Sequence, residues 1–266
     1  MPLLKTHGAS VYYLDEGAGY PLLCLHGLGG SHQQTNSFFA GLDNTRLITS
    51  DHRGHGKSTI DAAADISMET LCEDALALID LLNLDRFSIA GISLGAAISL
   101  KVALKEPKGL DRIILIRPAW INERSPANLN SLLTIADLIE LHGLQRAREL
   151  WKESEPYRQA LQHSSGLSNS LMGQFEREQA ESNPVVFRKL IHDRPFASFS
   201  VLKSIRQQVL IISSSDDPLH PLYHGQLLKE ALSNCALHEL VSKYHDSQAF
   251  GWKALQLVQA FLIDVT

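Results

Sequence analysis

The part of the sequence with the clearest chemical meaning is the G-x-S-x-G motif at residues 91–95, which has Ser93 at its centre. The motif lies where a strand-like run, Arg86 to Ala90, gives way to a helical pattern from Ala96 to Lys105. A sharp turn of this kind raises a serine hydroxyl above the strand ends. The flanking glycines leave room where strand and helix crowd together. We therefore predict that Ser93 is a nucleophile, which then needs a base and a group that orients the base.

The candidates for the acid and the base lie near the end of the chain. The strand-like run Val209 to Ile212 is followed by Asp216 and Asp217, and either aspartate could serve as the acid. His245 lies between the last predicted strand and the last predicted helix. The chain order serine, aspartate, histidine is therefore satisfied, as a triad on a strand–helix turn requires.

Other histidines fit the role of base less well. His238 lies in the middle of a predicted strand, and His220 and His224 lie close to the acid loop as candidates for lining a pocket. The histidines at positions 26, 52 and 55 lie in loops and are interpreted as structural. Because the chain has 12 histidines, the choice of His245 depends mainly on its position.

Attack on a carbonyl also requires donors for the oxyanion that forms. Leu94 follows the nucleophile and offers a backbone N–H at a helix N-terminus. We expect the second N–H from Leu28, in the glycine-rich loop at residues 26–30 that follows the strand-like run Leu22 to Leu25. A phosphate-binding loop is the rival interpretation, but neither of the usual glycine-rich phosphate motifs occurs there.

Several cations are candidates for contacting a substrate. Arg117 follows the predicted strand Ile113 to Ile116 at the sheet edge that faces the ligand crevice in open α/β sheets. It could bind a substrate carboxylate or pair with a local acid. Arg188, His192 and Arg194 are candidates for the same role, and the alternative is that they lie on a solvated surface of the predicted cap.

Composition excludes several classes of protein. The 266 residues include 24 Lys and Arg against 29 Asp and Glu, which gives a net charge of −5 and argues against a nucleic-acid binder. Three widely spaced cysteines support neither a disulfide framework nor a cysteine-based zinc site. A serine–histidine–aspartate mechanism needs neither a metal nor an organic cofactor, and we predict none. No signal peptide or membrane span is visible, and the cytoplasm is the expected location. A small-molecule substrate and a monomer or homodimer are expected.

The order of predicted elements indicates the fold class. Strands and helices alternate over the first part of the chain, which is typical of an α/β fold with a mostly parallel, doubly wound sheet flanked by helices. Residues 119–200 show long helical patterns without a buried strand, and the strand pattern then resumes. We predict one core formed by residues 1–118 and 201–266, with residues 119–200 as an inserted helical cap.

These motifs together resemble the α/β-hydrolase superfamily over nearly the whole chain. Four sequence features match the family: the His26-Gly27 pair, the D-H-R-G-H-G-K-S turn at residues 51–58, the motif around Ser93 and the spacing from Asp217 to Pro221. The resemblance implies that Asp217 is the acid rather than Asp216. The two glycines and the arginine of the turn at residues 51–58 indicate a fixed backbone, so we interpret that turn as structural. The resemblance also implies that the dehalogenase and epoxide-hydrolase branches, which would carry aspartate at position 93, are excluded. Ser214 and Tyr244 stand where the family often has glycine.

The predicted function is hydrolysis of a small ester or related acyl compound through Ser93, His245 and Asp217 and an acyl-enzyme. One alternative keeps the fold and the triad for acyl transfer or for hydrolysis of a carbon–carbon bond. A more remote alternative is a ligand receptor without catalysis.

Overall fold

The computed structural model describes residues 2–61, 64–182 and 185–263, and a nine-stranded sheet runs through the described residues. The strands are Leu3–Thr6 (β1), Ala9–Glu16 (β2), Tyr20–Leu25 (β3), Thr45–Ser50 (β4), Thr59–Ile60 (β5), Phe87–Ile92 (β6), Leu110–Ile116 (β7), Gln208–Ser214 (β8) and Cys235–Leu240 (β9). The helices are His32–Phe39 (α1), Met68–Leu81 (α2), Leu94–Leu104 (α3), Asn130–Glu153 (α4), Glu155–His163 (α5), Ser165–Met172 (α6), Val185–Ile191 (α7), Leu222–Ala231 (α8) and Ser247–Leu262 (α9).

The sheet is mostly parallel, as the alternation of strands and helices predicts. Its order is β1-β2-β4-β3-β6-β7-β8-β9, and β5 pairs with β2. Pairing is parallel from β4 through β9 and antiparallel where β2 meets β1, β4 and β5. Every residue of β6 is buried, because helices cover both faces of the sheet and leave no polar face.

Helices on the two faces form two separate apolar cores. The larger core contains the buried faces of α2 and α3, and the smaller one contains Phe39 of α1 together with Phe250 and Val258 of α9. Ser67 caps α2, because its hydroxyl accepts a hydrogen bond from the Thr70 N–H and the Thr70 side chain accepts one from the Ser67 N–H. These cores hold the strand ends in fixed positions relative to each other.

Between β7 and β8 the described chain is helical. The longest helix, α4, bends at Gly143, whose backbone has a φ of +71° and is not helical. Asn183 and Pro184 belong to the predicted cap and lie outside the described residues. The exact division at residues 118/119 and 200/201 stays a prediction.

No helix among the described residues is both long enough and apolar enough to cross a membrane.

Candidate active site

Ser93 lies at the turn between β6 and α3 in a strained backbone conformation. Its φ is +56° and its ψ is −107°, which is unusual for a residue with a side chain. Its N–H donates a hydrogen bond to the carbonyl oxygen of Ile116 at 2.9 Å, which fixes the turn against β7. Strain of this kind persists only where the surrounding structure enforces it, and it is concentrated at functional positions.

The two glycines that flank Ser93 are required by close backbone contacts. A Cβ atom at Gly91 would lie 2.0 Å from the carbonyl oxygen of Gly95, and a Cβ atom at Gly95 would lie 2.0 Å from the carbonyl oxygen of Leu25. Backbone atoms cannot move aside as a flexible side chain can. The crowding of strand and helix expected from the sequence is therefore present at both positions.

A chain of hydrogen bonds connects Ser93 to a histidine and an aspartate. His220 Nε2 lies 3.0 Å from Ser93 Oγ, and His220 Nδ1 lies 3.0 Å from Asp217 Oδ1. Because an ionised carboxylate can only accept, the Nδ1–H donates to Asp217 and the free Nε2 accepts from the serine hydroxyl. This is the arrangement in which a base can take the proton of a serine nucleophile.

The acid and the base lie on one turn directly after β8. His220 follows Asp217 by three residues, and the His220 backbone N–H donates to both the carbonyl oxygen and Oδ1 of Asp217, each at 3.1 Å. The backbone of the turn therefore holds the imidazole beside its carboxylate. The D-x-x-H spacing is the signal in the sequence that could have identified His220 as a candidate base.

The structure differs from the sequence-based expectation at His245. Its Nε2 lies 2.5 Å from Asp216 Oδ2, and its side chain is 41% exposed. Among the described residues, the hydrogen bonds of Ser93 Oγ and Asp217 Oδ1 go to His220 instead of His245. The reason is that the adjacent aspartates point to opposite sides: the Asp216 side chain is 61% exposed, whereas that of Asp217 is fully buried.

Arg117 lines the cavity that contains Ser93 and pairs with the second carboxylate oxygen of Asp217. Its Nε donates to Asp217 Oδ2 at 2.7 Å, and its Nη2 lies 2.6 Å from the same oxygen. The guanidinium also lies 4.8 Å from the centre of the Tyr244 ring. Of the two roles predicted for Arg117, the structure therefore contains the pairing with a local acid.

The charges around Asp217 determine the protonation of this group of residues. Burial alone would raise the pKa of Asp217, but His220 and Arg117 outweigh burial and hold that pKa well below its usual range. Burial, assisted by the positive charge of Arg117, lowers the pKa of His220 to about 4, although Asp217 opposes the shift. At neutral pH the aspartate is therefore ionised and the imidazole is neutral, as a general base must be.

The two residues predicted to donate N–H groups to the oxyanion, Leu28 and Leu94, both lie close to Ser93, because Leu28 lines the same cavity and Leu94 follows Ser93 in the chain. Leu94 is the first residue of α3, so its N–H has no partner within the helix. Leu28 is at the corner of a tight turn in which the Gly30 N–H donates to the carbonyl oxygen of Gly27 at 2.9 Å. Gly29 adopts a φ of +73° there, and the Gln34 side chain accepts from the Gly27 N–H at 2.7 Å. The loop is therefore fixed beside Ser93.

A cavity of about 70 Å³ lies over Ser93. Ser93 and His220 form its floor, Leu132, Ser170 and Gln174 line it from the helical segment between β7 and β8, and Lys243 lies at its side. A larger cavity of about 370 Å³ lies beside the loop at residues 29–34, and Gln34 lines both cavities. The two cavities therefore adjoin at Gln34, and the smaller one leaves a space directly at Ser93.

The other conspicuous loop residues have structural partners. Asp51 accepts hydrogen bonds from the His32 N–H at 2.5 Å and the Lys57 N–H at 2.7 Å, and a Cβ atom at Gly56 would collide with its carboxylate. Arg53 forms a buried two-pronged ion pair with Asp74, with both distances 2.7 Å. The turn at residues 51–58 is thus a packed structural element, in keeping with the expectation from the sequence.

His26, His52 and His55 form a buried cluster next to this turn. His26 Nδ1 lies 2.8 Å from the carbonyl oxygen of Gly27, while its Nε2 accepts from the His52 N–H at 2.9 Å. One ring nitrogen of His26 must therefore be a donor and the other an acceptor, which fixes a neutral imidazole. Burial lowers the pKa of His52 to about 4 and that of His55 to about 3.

The predicted cations of the helical segment bind to neighbours within it or nearby. Arg188 pairs with Asp137 and Glu140 at 2.5 and 2.7 Å. His192 Nδ1 lies 2.6 Å from Ser125 Oγ, and Arg194 donates to a backbone carbonyl at 3.3 Å. These contacts fit the solvated-surface alternative better than a role at Ser93.

His163, Asp216 and His245 form a second polar cluster outside the cavity. One ligand atom from each lies within 4.8 Å of the others, and two imidazoles with a carboxylate are donors that zinc accepts. Both imidazoles are hydrogen bonded to Asp216, because His163 Nε2 lies 3.2 Å from its carbonyl oxygen. Since His163 is the last residue of α5, the cluster links the helical segment to two loops of the sheet edge.

Comparison with known proteins gives consistent matches over most of the chain. A family model described as the alpha/beta hydrolase fold matches residues 20–251. A RutD protein of Agrobacterium fabrum, provisionally named a carbamate hydrolase, is 28% identical over 226 residues, which is 81% of this chain and 82% of that protein. The 2-hydroxymuconate semialdehyde hydrolase of Pseudomonas putida is 23% identical over 261 residues, which is 94% of this chain and 89% of that protein.

Solved structures support the same fold. A structure from a study of carboxylesterases of the thaumarchaeon Nitrososphaera gargenis superposes with a TM-score of 0.78 at 20% identity and covers 100% of both chains. At this level of identity the likeness concerns the fold alone.

Proposed function

This chain belongs to the α/β-hydrolase fold family and is a hydrolase, and we propose that it cleaves a short ester or related acyl compound through Ser93, His220 and Asp217. The observation that carries the proposal is the continuous line of hydrogen bonds from Asp217 through His220 to Ser93, with both side-chain distances 3.0 Å. The strained turn at Ser93 and the donors beside it supply the other parts that acyl transfer needs.

In the first half of the reaction, Ser93 Oγ attacks the carbonyl carbon while its proton moves to His220 Nε2. The carbonyl oxygen becomes an oxyanion, which the N–H groups of Leu28 and Leu94 stabilise. Collapse of this intermediate breaks the bond to the leaving group, and His220 gives its proton to that group. The products of this half are an acyl-serine and a free alcohol or amine.

In the second half, water replaces the leaving group as the reaction partner. His220 removes a proton from the water, which attacks the acyl-serine, and the second oxyanion uses the same two donors. The proton then returns to Ser93 Oγ and the carboxylic acid leaves. Asp217 stays ionised throughout, holds the imidazole with Nδ1 protonated and offsets the positive charge that His220 gains.

The size of the cavity favours a short acyl group. The cavity has a volume of about 70 Å³, and Leu132, Leu219 and Tyr244 are among the residues that line it. We also propose that residues 119–200 act as a cap, because three side chains of this segment roof the cavity.

The direct test is hydrolysis of p-nitrophenyl acetate by the wild type and the Ser93→Ala variant. Removal of a nucleophile of this kind lowers kcat by roughly 10³–10⁶-fold. A fluorophosphonate probe should label the wild type at Ser93 and should not label the variant. Equal rates for the two proteins would refute the mechanism, and failure of the probe to label folded wild-type protein would favour a receptor without catalysis.

A second experiment separates His220 from His245 as the base. His220→Gln should lower kcat by about 10²–10⁴-fold, the usual contribution of a positioned base. The matched control is His245→Gln, which changes an exposed side chain and should alter kcat by less than about threefold. The reverse result would move the role of base to His245 and require rearrangement of the loop that carries it.

Carbon–carbon bond hydrolysis remains a second candidate, favoured by the match to a hydrolase that is named for 2-hydroxymuconate semialdehyde. Both reactions need the nucleophile or its activated water, the same base and the same oxyanion donors. Product analysis with a panel of esters and vinylogous diketones would distinguish them. Added alcohol acceptors in the same assays would reveal acyl transfer.

A further inference from the structure

We propose that Lys243 binds a carboxylate of the substrate inside the cavity over Ser93, so that the preferred substrates are acyl compounds that carry a second, ionised acid group. This inference rests on the proposed hydrolysis at Ser93 and adds a substrate class to it. The side chain involved lies between β9 and α9, in a segment that the triad does not use.

The charges that line the cavity do not balance. Arg117 and Asp217 neutralise each other through contacts of 2.6 and 2.7 Å, and His220 is neutral at pH 7. Lys243 adds one further positive charge, and within the described parts of the chain no carboxylate lies within ion-pair distance of it. The enclosed site therefore has a net charge of about +1 before a substrate binds.

The surroundings of Lys243 make this charge energetically unfavourable when it is alone. Burial and the nearby charge of Arg117 lower the pKa of Lys243 to about 8, although Asp217 opposes the shift. The ammonium is 5.5 Å from the centre of the Tyr244 ring and remains mostly protonated at neutral pH. A partly buried cation without a counter-charge loses part of its hydration, and a carboxylate placed beside it offsets that cost.

Arg117 also lines the cavity, but its guanidinium is already paired with the acid. Its Nε and Nη2 both lie on Asp217 Oδ2, so a substrate anion on this side of the guanidinium would compete with Asp217. Lys243 lines the same cavity and, within the described parts of the chain, has no ion pair that a substrate anion would have to displace. The role of carboxylate binder that the sequence suggested for Arg117 therefore passes to Lys243.

Binding to a Ser93→Ala variant tests the proposal without turnover. Calorimetry would compare the monomethyl esters of malonate, succinate and glutarate with the corresponding dimethyl esters, which have a similar shape but no charge. A hydrogen bond to a charged group corresponds to about tenfold to a hundredfold in affinity. We expect at least one monoester to bind about tenfold more tightly than its diester.

The contribution of Lys243 is then isolated in the same background. Ser93→Ala with Lys243→Met should lose the preference for the monoester, whereas Ser93→Ala with Lys243→Arg should retain it because the charge remains. If the methionine variant does not fold, as judged by thermal unfolding, Lys243→Gln replaces it.

Two results would overturn the inference: equal binding of all monoesters and diesters, or a preference that survives the loss of the charge. These outcomes differ from failure of the proposed function. A protein that binds the monoester through Lys243 but shows no hydrolysis dependent on Ser93 would support the carboxylate site and refute the catalytic role of Ser93.

Discussion

The strongest test of the proposed base is the acid limb of the pH–rate profile. His220 can accept the proton of Ser93 only while its Nε2 is free, so kcat/KM must fall as the imidazole becomes protonated. The imidazole is buried beside Arg117, and this environment lowers its pKa to about 4. Activity is therefore expected to be complete at neutral pH, to persist down to about pH 5, and to be lost as the pH falls below about 4.

The size of the effect follows from the shift in pKa. A decrease from 6.5 to about 4 means that the site disfavours the protonated imidazole by about 3 kcal/mol relative to water. At pH 5 about nine-tenths of His220 is neutral, and each further pH unit below about 4 should lower kcat/KM about tenfold. An exposed imidazole would instead give a limb at about pH 6.5.

The assay is hydrolysis of p-nitrophenyl acetate between pH 3 and pH 8, with the product measured at a wavelength that does not depend on its ionisation. Samples returned to pH 7 after each measurement would show that activity had not been lost through unfolding. The His245→Gln variant serves as the matched control and should give the same limb. A wild-type limb between pH 6 and pH 7 would refute His220 as the buried base.

Three further predictions concern stability and can be checked by urea or thermal unfolding. Gly95→Ala should lower the stability of the fold by several kcal/mol, because the new Cβ would lie 2.0 Å from a backbone oxygen. The control is Gly173→Ala, which has no atom within 4 Å of its Cβ and should change stability by less than about 1 kcal/mol. Equal effects of the two substitutions would refute the packing argument. Arg117→Met should cost about 3–5 kcal/mol because it leaves Asp217 buried with less compensation, and a neutral result would show that the ion pair is dispensable. Buried histidines with lowered pKa values bind fewer protons in the folded than in the unfolded protein between about pH 4 and pH 6.5. Each should therefore lower the free energy of unfolding by about 1.4 kcal/mol per pH unit as the pH falls through that window. A melting temperature that is unchanged from pH 6.5 to pH 4.5 would contradict this. The histidines concerned are His26, His52, His55, His220 and His224.

The fold and the strained turn at Ser93 could be predicted because their signals are local. The strand-like runs are apolar on both sides because both faces of the sheet are covered, and this pattern needs no knowledge of distant residues. Ser93 is identified by two glycines whose absence of a Cβ is required by backbone atoms only a few residues away or on the adjoining strand.

The base could not be predicted in the same way, because side-chain direction depends on tertiary contacts. Asp216 and Asp217 are neighbours in the chain, yet one faces solvent and the other is buried. The backbone of Asp216 has a φ of +55°, and this local turn decides which histidine meets which aspartate. The position of His245 in the chain order suits a base, but its hydrogen bond is formed with the exposed aspartate.

The pairing of Arg117 with Asp217 was only one of two options at the sequence level. The residues are 100 positions apart, and each follows a strand whose neighbour is known only once β7 and β8 are seen to pair. The same holds for Lys243, because no sequence pattern indicated that it would line the same cavity as Ser93.

The acid and the base lie on one short turn after β8, whereas Lys243 lies in a different loop, which precedes α9. The hydrogen bonds between Asp217 and His220 lie within residues 217–220, so a change at Lys243 does not remove any of them. A mutation at Lys243 can therefore alter which molecules are accepted while the proton-transfer pair remains intact. For directed evolution, Lys243 is the position to vary, whereas Tyr244, which packs against the Arg117 guanidinium, and the turn after β8 are to be left unchanged.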